Sequence, residues 1–293
     1  MKSIYAASSI SKKPVNQDFT LAQILENGSR LLLVADGIGS HYKAEFGAKS
    51  ACEFLWEKAK ENPSNINFES LFLAIPGHIK ELVEEAHLLD GRDPNRAFGT
   101  TLLCGLETER EYKIAYVGNG AILHIRGNFN HFPKTSPQYQ LPWTLSNLLN
   151  PHSMWENGNN VLYKFVSPYA PDEITRPTLL SLIKDEDQFG EILIFCTDGL
   201  YSADQIMLGR ADDDKIWIGI DEKVIILLEY IRDFLNREHY TSQGLTEIIE
   251  FYLQILKERQ LIEDDCSLAI IISEKTIEYH STLQKNLSDV THS

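Results

Sequence analysis

The sequence predicts an α+β domain in which sheets and helices form separate layers. Its apolar segments of strand length are joined mostly by short turns, and its amphipathic helical segments come in two pairs. A doubly wound parallel sheet would instead alternate single strands with single helices along the chain. Hydrophobic residues make up 43% of the 293-residue chain, which is enough for a large core.

The first half of the chain begins with strands and continues with a pair of helices. Asn27-Gly28 lies between two apolar runs, which favours a β-hairpin at that point. Because proline removes a backbone hydrogen bond, Pro76-Gly77 should kink or split the second helix. Strands are predicted at residues 4–7, 19–25 and 30–35, and helices at residues 44–60 and 68–89.

The second half repeats this order and then ends on a strand. Apolar residues recur at steps of three and four within residues 224–235 and 245–256, which predicts two more helices. The least regular stretch is residues 128–190. A loose polar tail is expected after Lys275, so we divide the chain into one domain at residues 1–275 and a tail at residues 276–293. The predicted strands are residues 98–106, 113–117, 121–126, 191–197 and 267–272.

The net charge limits which partners the protein can bind, and the cysteine content indicates the cellular compartment. A formal net charge of −15 repels nucleic acid and anionic lipid, so we expect neither as a partner. A phosphorylated substrate remains compatible with this charge, because bound divalent cations reverse the sign locally. No signal peptide is recognisable, and the four cysteines have no paired spacing. We therefore expect a cytoplasmic protein with reduced core thiols.

Carboxylates follow two apolar strands of the same design. Asp36 and Asp198 each come directly after a buried run, and a glycine follows each of them. A third acidic cluster, at residues 263–265, precedes the final strand. If that strand runs antiparallel to the other two, the three carboxylates meet at one sheet edge and require cations for compensation. Oxygen ligands, with no His or Cys at metal spacing, favour the hard ions Mg²⁺, Mn²⁺ or Ca²⁺. The alternative is that each Asp-Gly is a simple turn.

Six short motifs occur in order along the chain. They are Asn16-Gln17-Asp18, Val34-Ala35-Asp36-Gly37-Ile38-Gly39, Gly99-Thr100-Thr101, Val117-Gly118-Asn119-Gly120, Thr197-Asp198-Gly199-Leu200 and Asp264-Asp265-Cys266-Ser267. Together they resemble the motifs of the metal-dependent protein phosphatases of type 2C. The resemblance extends over residues 3–272, nearly the whole chain, and it implies a sandwich of two antiparallel β-sheets flanked by pairs of helices.

The resemblance also implies roles for individual residues. Asp36 would bridge two Mn²⁺ or Mg²⁺ ions with help from the Gly37 carbonyl, and Asp198 and Asp264 would complete one metal site. Asp18 would lie by the other ion, as a ligand or through a water molecule. A water or hydroxide between the ions would attack phosphorus in line. The implied partners are a phosphorylated protein and a cognate Ser/Thr kinase.

Three positions depart from the family pattern. The family usually has Asp where this chain has Asn119, so a third ion should bind weakly, although Asn119-Gly120 also suits a tight turn. An arginine that grips phosphate is replaced by Lys13, or by its neighbour Lys12; a solvated loop lysine is the alternative. Ile38 stands where eukaryotic members carry His, which suggests a bacterial-type enzyme. His41 is a candidate for proton transfer, with helix capping or a surface position as alternatives.

Two functions of different classes are compatible with the sequence. The first is a metal-dependent phosphatase that hydrolyses phosphoserine or phosphothreonine. The second is a catalytically weak phosphatase-like domain that binds a phosphorylated partner or regulates a kinase. In the family, a variable flap occupies part of residues 128–190. In this chain Tyr139, Trp143, Trp155 and Tyr169 lie there and suit either a protein contact or a local core.

Overall fold

The computed structural model of the chain consists mainly of strands and helices in the predicted order. It describes residues 2–127, 143–184, 189–202, 207–210, 216–219, 221–237 and 239–291. The strands are β1 Ile4–Ile10, β2 Asp18–Ile24, β3 Arg30–Asp36, β4 Leu102–Glu107, β5 Glu111–Val117, β6 Ala121–Gly127, β7 Trp143–Asn147, β8 Ser153–Glu156, β9 Asn159–Leu162, β10 Thr178–Ile183, β11 Glu191–Cys196, β12 Met207–Arg210, β13 Ile216–Gly219 and β14 Cys266–Ile272. The helices are α1 Ala44–Glu61, α2 Phe68–Glu85, α3 Asp172–Thr175, α4 Glu222–Leu235, α5 Ser242–Glu258 and α6 Glu274–Thr291.

Two large antiparallel sheets pack face to face. One has the strand order β1-β14-β11-β6-β7, and the other has the order β10-β5-β4-β3-β2. The paired strands within both sheets run antiparallel, as in the pairing of Ile4 with Ile272 and of Asp18 with Asp36. This arrangement confirms the predicted α+β sandwich.

Strands at the centre of the sandwich are apolar on both faces because each face lies against a different layer. In β3, Leu31 and Leu33 face the core under α1 and α2, whereas Leu32 and Val34 face the core between the sheets. Phe195 of β11 likewise belongs to the core between the sheets. A third core joins the other sheet to α4 and α5. Full burial of one such side chain contributes about 1.5–3 kcal/mol, so these layers fix the ends of β3 and β11 in place.

The two Asn-Gly sequences form different connections. Asn27-Gly28 closes the predicted hairpin between β2 and β3, with Gly28 at φ 83°. Asn119-Gly120 joins β5 to β6, but these strands lie in different sheets and do not pair with each other. It is therefore a crossing between sheets, and the glycines on both sides of Asn119 adopt positive φ.

The helix that contains Pro76 differs from expectation. We expected Pro76-Gly77 to kink or split it, yet α2 runs unbroken through both residues. A proline inside a helix costs about 3 kcal/mol. Burial of Phe72, Ile75 and Ile79 on the same helix offsets that cost.

The loose tail expected after Lys275 is also not found. The chain continues from β14 directly into helix α6. Thr276 and Ile277 are fully buried, and the Thr276 hydroxyl donates to the Phe189 carbonyl oxygen at 3.0 Å. Most residues of this segment are polar, so its composition did not indicate that a few buried residues pack α6 against the rest of the domain. The division into a domain at residues 1–275 and a tail at residues 276–293 remains a prediction.

Residues 143–184 are more regular than the sequence indicated. They contain β7, the hairpin of β8 and β9, the short α3, and the edge strand β10. Tyr139 of the expected flap lies outside the described residues. All four cysteines are buried and unpaired, as expected for core thiols. Among the described residues, none of the helices is both long and apolar enough to cross a membrane.

Candidate active site

The carboxylates at the strand ends come together at one end of the sandwich. Asp36 ends β3 in one sheet, whereas Asp198 follows β11 and Asp264 precedes β14 in the other. β11 and β14 are antiparallel neighbours, so the end of one lies beside the start of the other, and the Thr197 amide donates to the Ser267 carbonyl oxygen at 3.0 Å. The expectation of a single sheet edge is therefore wrong. The residues meet between two sheets because β3 pairs with β2 and β4 instead.

A cavity of about 480 Å³ opens at this end of the sandwich. It brings together all but one of the residues predicted for the site; Asp18 is the exception and lies buried beside Asp36 on the neighbouring strand. The predicted residues that line the cavity are Lys13, Asp36, Gly37, Asn119, Asp198 and Asp264. Its wall also includes Ile38, Gly39, Ser40, His41, Thr101, Asn160, Val161, Leu162 and Phe165.

The carboxyls of Asp36, Asp18 and Asp198 strongly influence one another. Burial and the facing charges of Asp18 and Asp198 raise the pKa of Asp36 well above its usual value. Burial raises the pKa of Asp18 to about 7, although the Thr197 hydroxyl opposes the shift. Asp18 Oδ1 is buried and has no hydrogen-bond partner. Such a group of carboxylates is costly unless protons or cations neutralise it.

The oxygen atoms of these three carboxyl groups are suitable ligands for a hard divalent cation. Asp36 interacts with both Asp18 and Asp198, and the buried Asp18 Oδ1 has no hydrogen-bond partner; carboxylate oxygens of this kind suit Mg²⁺ or Mn²⁺. However, no three acidic, histidine or cysteine side chains converge as a complete metal site within the described residues. The Asp264 carboxylate lines the same cavity, where it contacts Lys13 and accepts a hydrogen bond from the Asp265 amide.

Glycine is required after each aspartate by close backbone contacts. A Cβ on Gly37 would lie 2.7 Å from the carbonyl carbon of Ala44, and a Cβ on Gly199 would collide with the carbonyl oxygen of Asp265. Any side chain at either position would force the backbone apart. Asp198-Gly199 lies in a turn, whereas Gly37 continues from β3 and forms a β-bridge with Thr100; both aspartates line the cavity.

Threonines hold the aspartates in place, a role that sequence reasoning did not assign. The Asp36 amide donates to Thr101 Oγ1 at 3.1 Å, and Thr100 Oγ1 donates to the Asp36 carbonyl oxygen at 2.9 Å. On the other sheet, Thr197 Oγ1 donates to Asp18 Oδ2 at 2.9 Å, which ties β2 to β11. Both threonine motifs were visible in the sequence, but their partners are more than 60 residues away in the chain.

Asp265 fixes the loop of residues 11–17 and was also missed as a functional position. Its Oδ1 accepts the Lys12 and Lys13 amides at 2.8 and 3.1 Å, and its Oδ2 accepts the Gln17 amide at 2.8 Å. Ser11 Oγ donates to the same carboxylate at 3.0 Å. Burial acts to raise the pKa of Asp265, but these hydrogen bonds lower it below its usual value. The buried Asp265 therefore anchors the loop, while its neighbour Asp264 faces the cavity.

Lys13 lies at the cavity and contacts an acidic residue. Its Nζ is 2.5 Å from Asp264 Oδ1, and it also donates to Gln17 Oε1 at 2.9 Å. Burial lowers the pKa of Lys13, but the hydrogen bond and charge of Asp264 outweigh this and raise it. The solvated-loop alternative thus describes Lys12, whose side chain is exposed, better than Lys13.

Asn119 and His41 also border the cavity. Asn119 Nδ2 donates to Asp198 Oδ2 at 2.8 Å, so the crossing between sheets places its amide against the aspartate. The His41 ring packs edge-on against Phe165, and its Nδ1 is buried without a partner. Burial lowers the pKa of His41. Helix capping is not its role, because Lys43 occupies the N-cap of α1 and makes no side-chain cap bond.

The β8–β9 hairpin forms one wall of the cavity. Asn160, Val161 and Leu162 of this hairpin line the same space as Asp36 and Asp198. Trp155 of β8 is 74% exposed, whereas Tyr169 packs against the core under α1 and α2. Of the two expectations for these aromatics, a local core fits Tyr169 and an exposed contact surface fits Trp155.

Comparison with known proteins supports the resemblance inferred from the motifs. Residues 6–141 match the family described as protein phosphatase 2C. A serine/threonine phosphatase of S. agalactiae is similar in structure, with a TM-score of 0.59, 15% identity, and coverage of 93% of this chain and 100% of that one. The serine/threonine phosphatase Stp1 of Staphylococcus aureus has a TM-score of 0.57 and 16% identity, covering 94% and 96% of the two chains.

The serine/threonine phosphatase PstP/Ppp of Mycobacterium tuberculosis is also similar, with a TM-score of 0.55 and 16% identity over 94% of this chain and 100% of that one. No curated protein matches the chain in sequence. These findings confirm the resemblance to bacterial phosphatases of type 2C, and the structural matches confirm the sandwich fold.

Proposed function

We propose that this chain, which has the fold of the type 2C protein phosphatases, is a metal-dependent serine/threonine phosphatase. One observation carries the proposal: Asp36 and Asp198 face each other across the cavity, with the unpartnered Oδ1 of Asp18 buried beside them. The substrate class follows from the fold and the resemblance. A phosphorylated protein, a cognate kinase and a cytoplasmic location are parts of this proposal.

The metal ligands in this proposal are Asp36, Gly37, Asp198, Asp264 and Asp18, with Mn²⁺ or Mg²⁺ as the ions. When bound, such ions lower the pKa of water and neutralise charge on phosphoryl oxygens. Asp36 occupies the shared position because it faces both Asp18 and Asp198. Thr101 accepts a hydrogen bond from the Asp36 amide, and Thr197 donates one to the Asp18 carboxylate. These bonds orient the two aspartates, so they would need little reorganisation when a cation binds.

The other side chains of the cavity bind and orient the substrate in this proposal. Lys13 supplies a positive charge for the phosphate as a point charge, since it lacks the planar fork of arginine. The apolar wall of Val161, Leu162 and Phe165 limits water at the site and faces the peptide around the phosphorylated residue.

Phosphate release from a phosphothreonine peptide tests the proposed function. We expect hydrolysis with Mn²⁺ or Mg²⁺, and no hydrolysis when a chelator is present, because the carboxylates alone cannot stabilise the charge on the transferred group. Readdition of Mn²⁺ to the chelated protein should restore the rate. Hydrolysis that continues at the same rate in chelator would contradict a metal-dependent reaction.

A phosphatase-like binding domain is the second candidate, and Asn119 favours it. In this chain residue 119 presents an amide to Asp198, and the family usually has a carboxylate at this position. A third ion beside Asp198 would therefore find one anionic ligand fewer than the family usually offers. A protein that retains the fold and the cavity but holds its ions weakly would bind a phosphorylated partner and turn it over slowly.

Asn119→Asp separates these two candidates. The added carboxylate should lower the metal concentration for half-maximal rate about tenfold, which corresponds to about 1.4 kcal/mol of metal binding. In chelator the same change should lower the melting temperature, since it replaces a hydrogen bond to Asp198 with like-charge repulsion. The measurements are a Mn²⁺ titration of the rate and thermal unfolding with and without Mn²⁺.

Each outcome of this experiment assigns a role. An inactive natural protein whose turnover is restored by Asn119→Asp would be a binding domain in its natural form. A natural protein that is already fast, and whose metal dependence does not change, would make Asn119 only the residue of the crossing between sheets. Asn95→Asp, which adds the same charge at an exposed site, is the matched control.

A further inference from the structure

Lys13 and Asp264 form an ion pair at the edge of the cavity, and both line it. The side chains are 35% and 51% exposed, so the pair is open to water and exchangeable. Gln17 Oε1 accepts a second hydrogen bond from the same ammonium. The carboxylate that the resemblance makes a metal ligand is thus compensated by a positive charge from this chain.

Two of the other predicted ligands differ from Asp264 in this respect. Within the described part of the chain, neither Asp36 nor Asp18 takes part in an ion pair, and Asp18 Oδ1 has no partner at all. The ammonium of Lys13 therefore sits where a cation would be placed by Asp264, and a cation that binds there must displace it.

The loop geometry allows the ammonium to move while the backbone stays fixed. Asp265 holds the amides of Lys12, Lys13 and Gln17, so the position of the Lys13 Cα is set independently of its side chain. The four-carbon stem of lysine is flexible and its charge is not bound to one geometry. Rotation of this stem is enough to exchange Asp264 for another anion in the same cavity.

We propose that Lys13 is an internal counter-ion of Asp264, which a divalent cation displaces and which then binds the phosphate of the substrate. This inference rests on the proposed function, because it requires a cation at Asp264 and a phosphate in the cavity. It assigns Lys13 two successive partners and makes metal loading a precondition for full phosphate affinity.

Calorimetric titration with Mn²⁺ tests the first partner without any measurement of activity. Lys13→Met should tighten the weaker Mn²⁺ site up to about fivefold, the range expected for removal of one exposed ion pair. Lys12→Met removes the same charge from the same loop, but its exposed side chain does not line the cavity. We expect its Mn²⁺ affinity to stay within about twofold of the natural protein. In an Asp264→Asn background, Lys13→Met should no longer change the affinity.

Titration with inorganic phosphate at saturating Mn²⁺ tests the second partner. Lys13→Met should weaken phosphate binding about fivefold to tenfold, because one charge-assisted hydrogen bond is lost at a partly exposed site. Lys12→Met should leave it unchanged. A merely structural lysine would weaken both ligands when replaced, whereas the proposal requires stronger Mn²⁺ binding and weaker phosphate binding from one substitution.

The contradicting outcomes are distinct. Equal Mn²⁺ affinity of the natural protein and Lys13→Met overturns the counter-ion role and leaves the proposed function standing. Unchanged phosphate affinity in Lys13→Met overturns the exchange of partners. A natural protein that binds no Mn²⁺ at millimolar concentration overturns the inference together with the metal-dependent function.

Discussion

Replacement of Asp36 by asparagine should lower the rate of phosphate release by about a thousandfold or more, which corresponds to a loss of about 4 kcal/mol of transition-state stabilisation. Asp36 faces both Asp18 and Asp198, so in the proposed function the change would remove charge from both ions. The side chain keeps its shape, and its backbone bonds to Thr100 and Thr101 are unaffected. The measurement is kcat for a small aryl phosphate at saturating Mn²⁺.

Thermal unfolding separates this loss from misfolding. In chelator, Asp36→Asn should be at least as stable as the natural protein, because it removes one of the facing carboxylates. In Mn²⁺ the natural protein should gain stability through binding, and the variant should gain less. The control is Glu263→Gln, an exposed acidic residue near the cavity, which should retain full activity. Activity within tenfold of the natural rate in Asp36→Asn would rule out the bridging role.

Local patterns in the sequence were enough to predict most elements of the sandwich. The strand before Asp36 and the strand before Asp198 are apolar on both faces, and their alternation places each face against a different core. The hairpin at Asn27-Gly28 follows from turn chemistry alone. Strand alternation and turn residues are both local patterns of a few residues, so they can be recognised in the sequence alone.

Assignment of strands to sheets could not be predicted in the same way. The turn at Asn119 suits a hairpin, yet its two strands lie in different sheets, because β5 pairs with β4 and β10, whereas β6 pairs with β11 and β7. The same limitation led to the expectation of one sheet edge for Asp36 and Asp198. A strand with two apolar faces fits either sheet by pattern, and only long-range packing decides between them.

The contacts that support the site were equally beyond local reasoning. Lys13 and Asp264 are 251 residues apart in the chain, and Thr197 is 179 residues from Asp18. Motif resemblance picked out six of the residues that line the cavity, and it missed those contributed by the β8–β9 hairpin. It did not identify the role of Asp265, because the sequence alone does not distinguish an aspartate that binds three backbone amides from one that faces a ligand.

Asp265→Ala should destabilise the protein by about 3–5 kcal/mol, since it leaves three backbone amides and the Ser11 hydroxyl without their charged acceptor. The side chain is buried, so water can replace it only in part. For a domain of this size the melting temperature should fall by about 10 °C. Thermal and urea unfolding in chelator measure the effect without a contribution from metal binding.

Two further variants identify the carboxylate itself as the cause. Asp265→Asn keeps one oxygen acceptor and should lose about half as much stability as alanine. Glu263→Ala removes an acidic side chain from the same cluster, but this residue is exposed, and its stability should stay within about 0.5 kcal/mol of the natural protein. Because the loop also positions Lys13, Asp265→Ala should weaken phosphate binding even at temperatures where it is fully folded. If Asp265→Ala and Glu263→Ala had the same stability, or if Asp265→Ala bound phosphate normally, the loop would be held by other contacts and the anchoring role of Asp265 would be wrong.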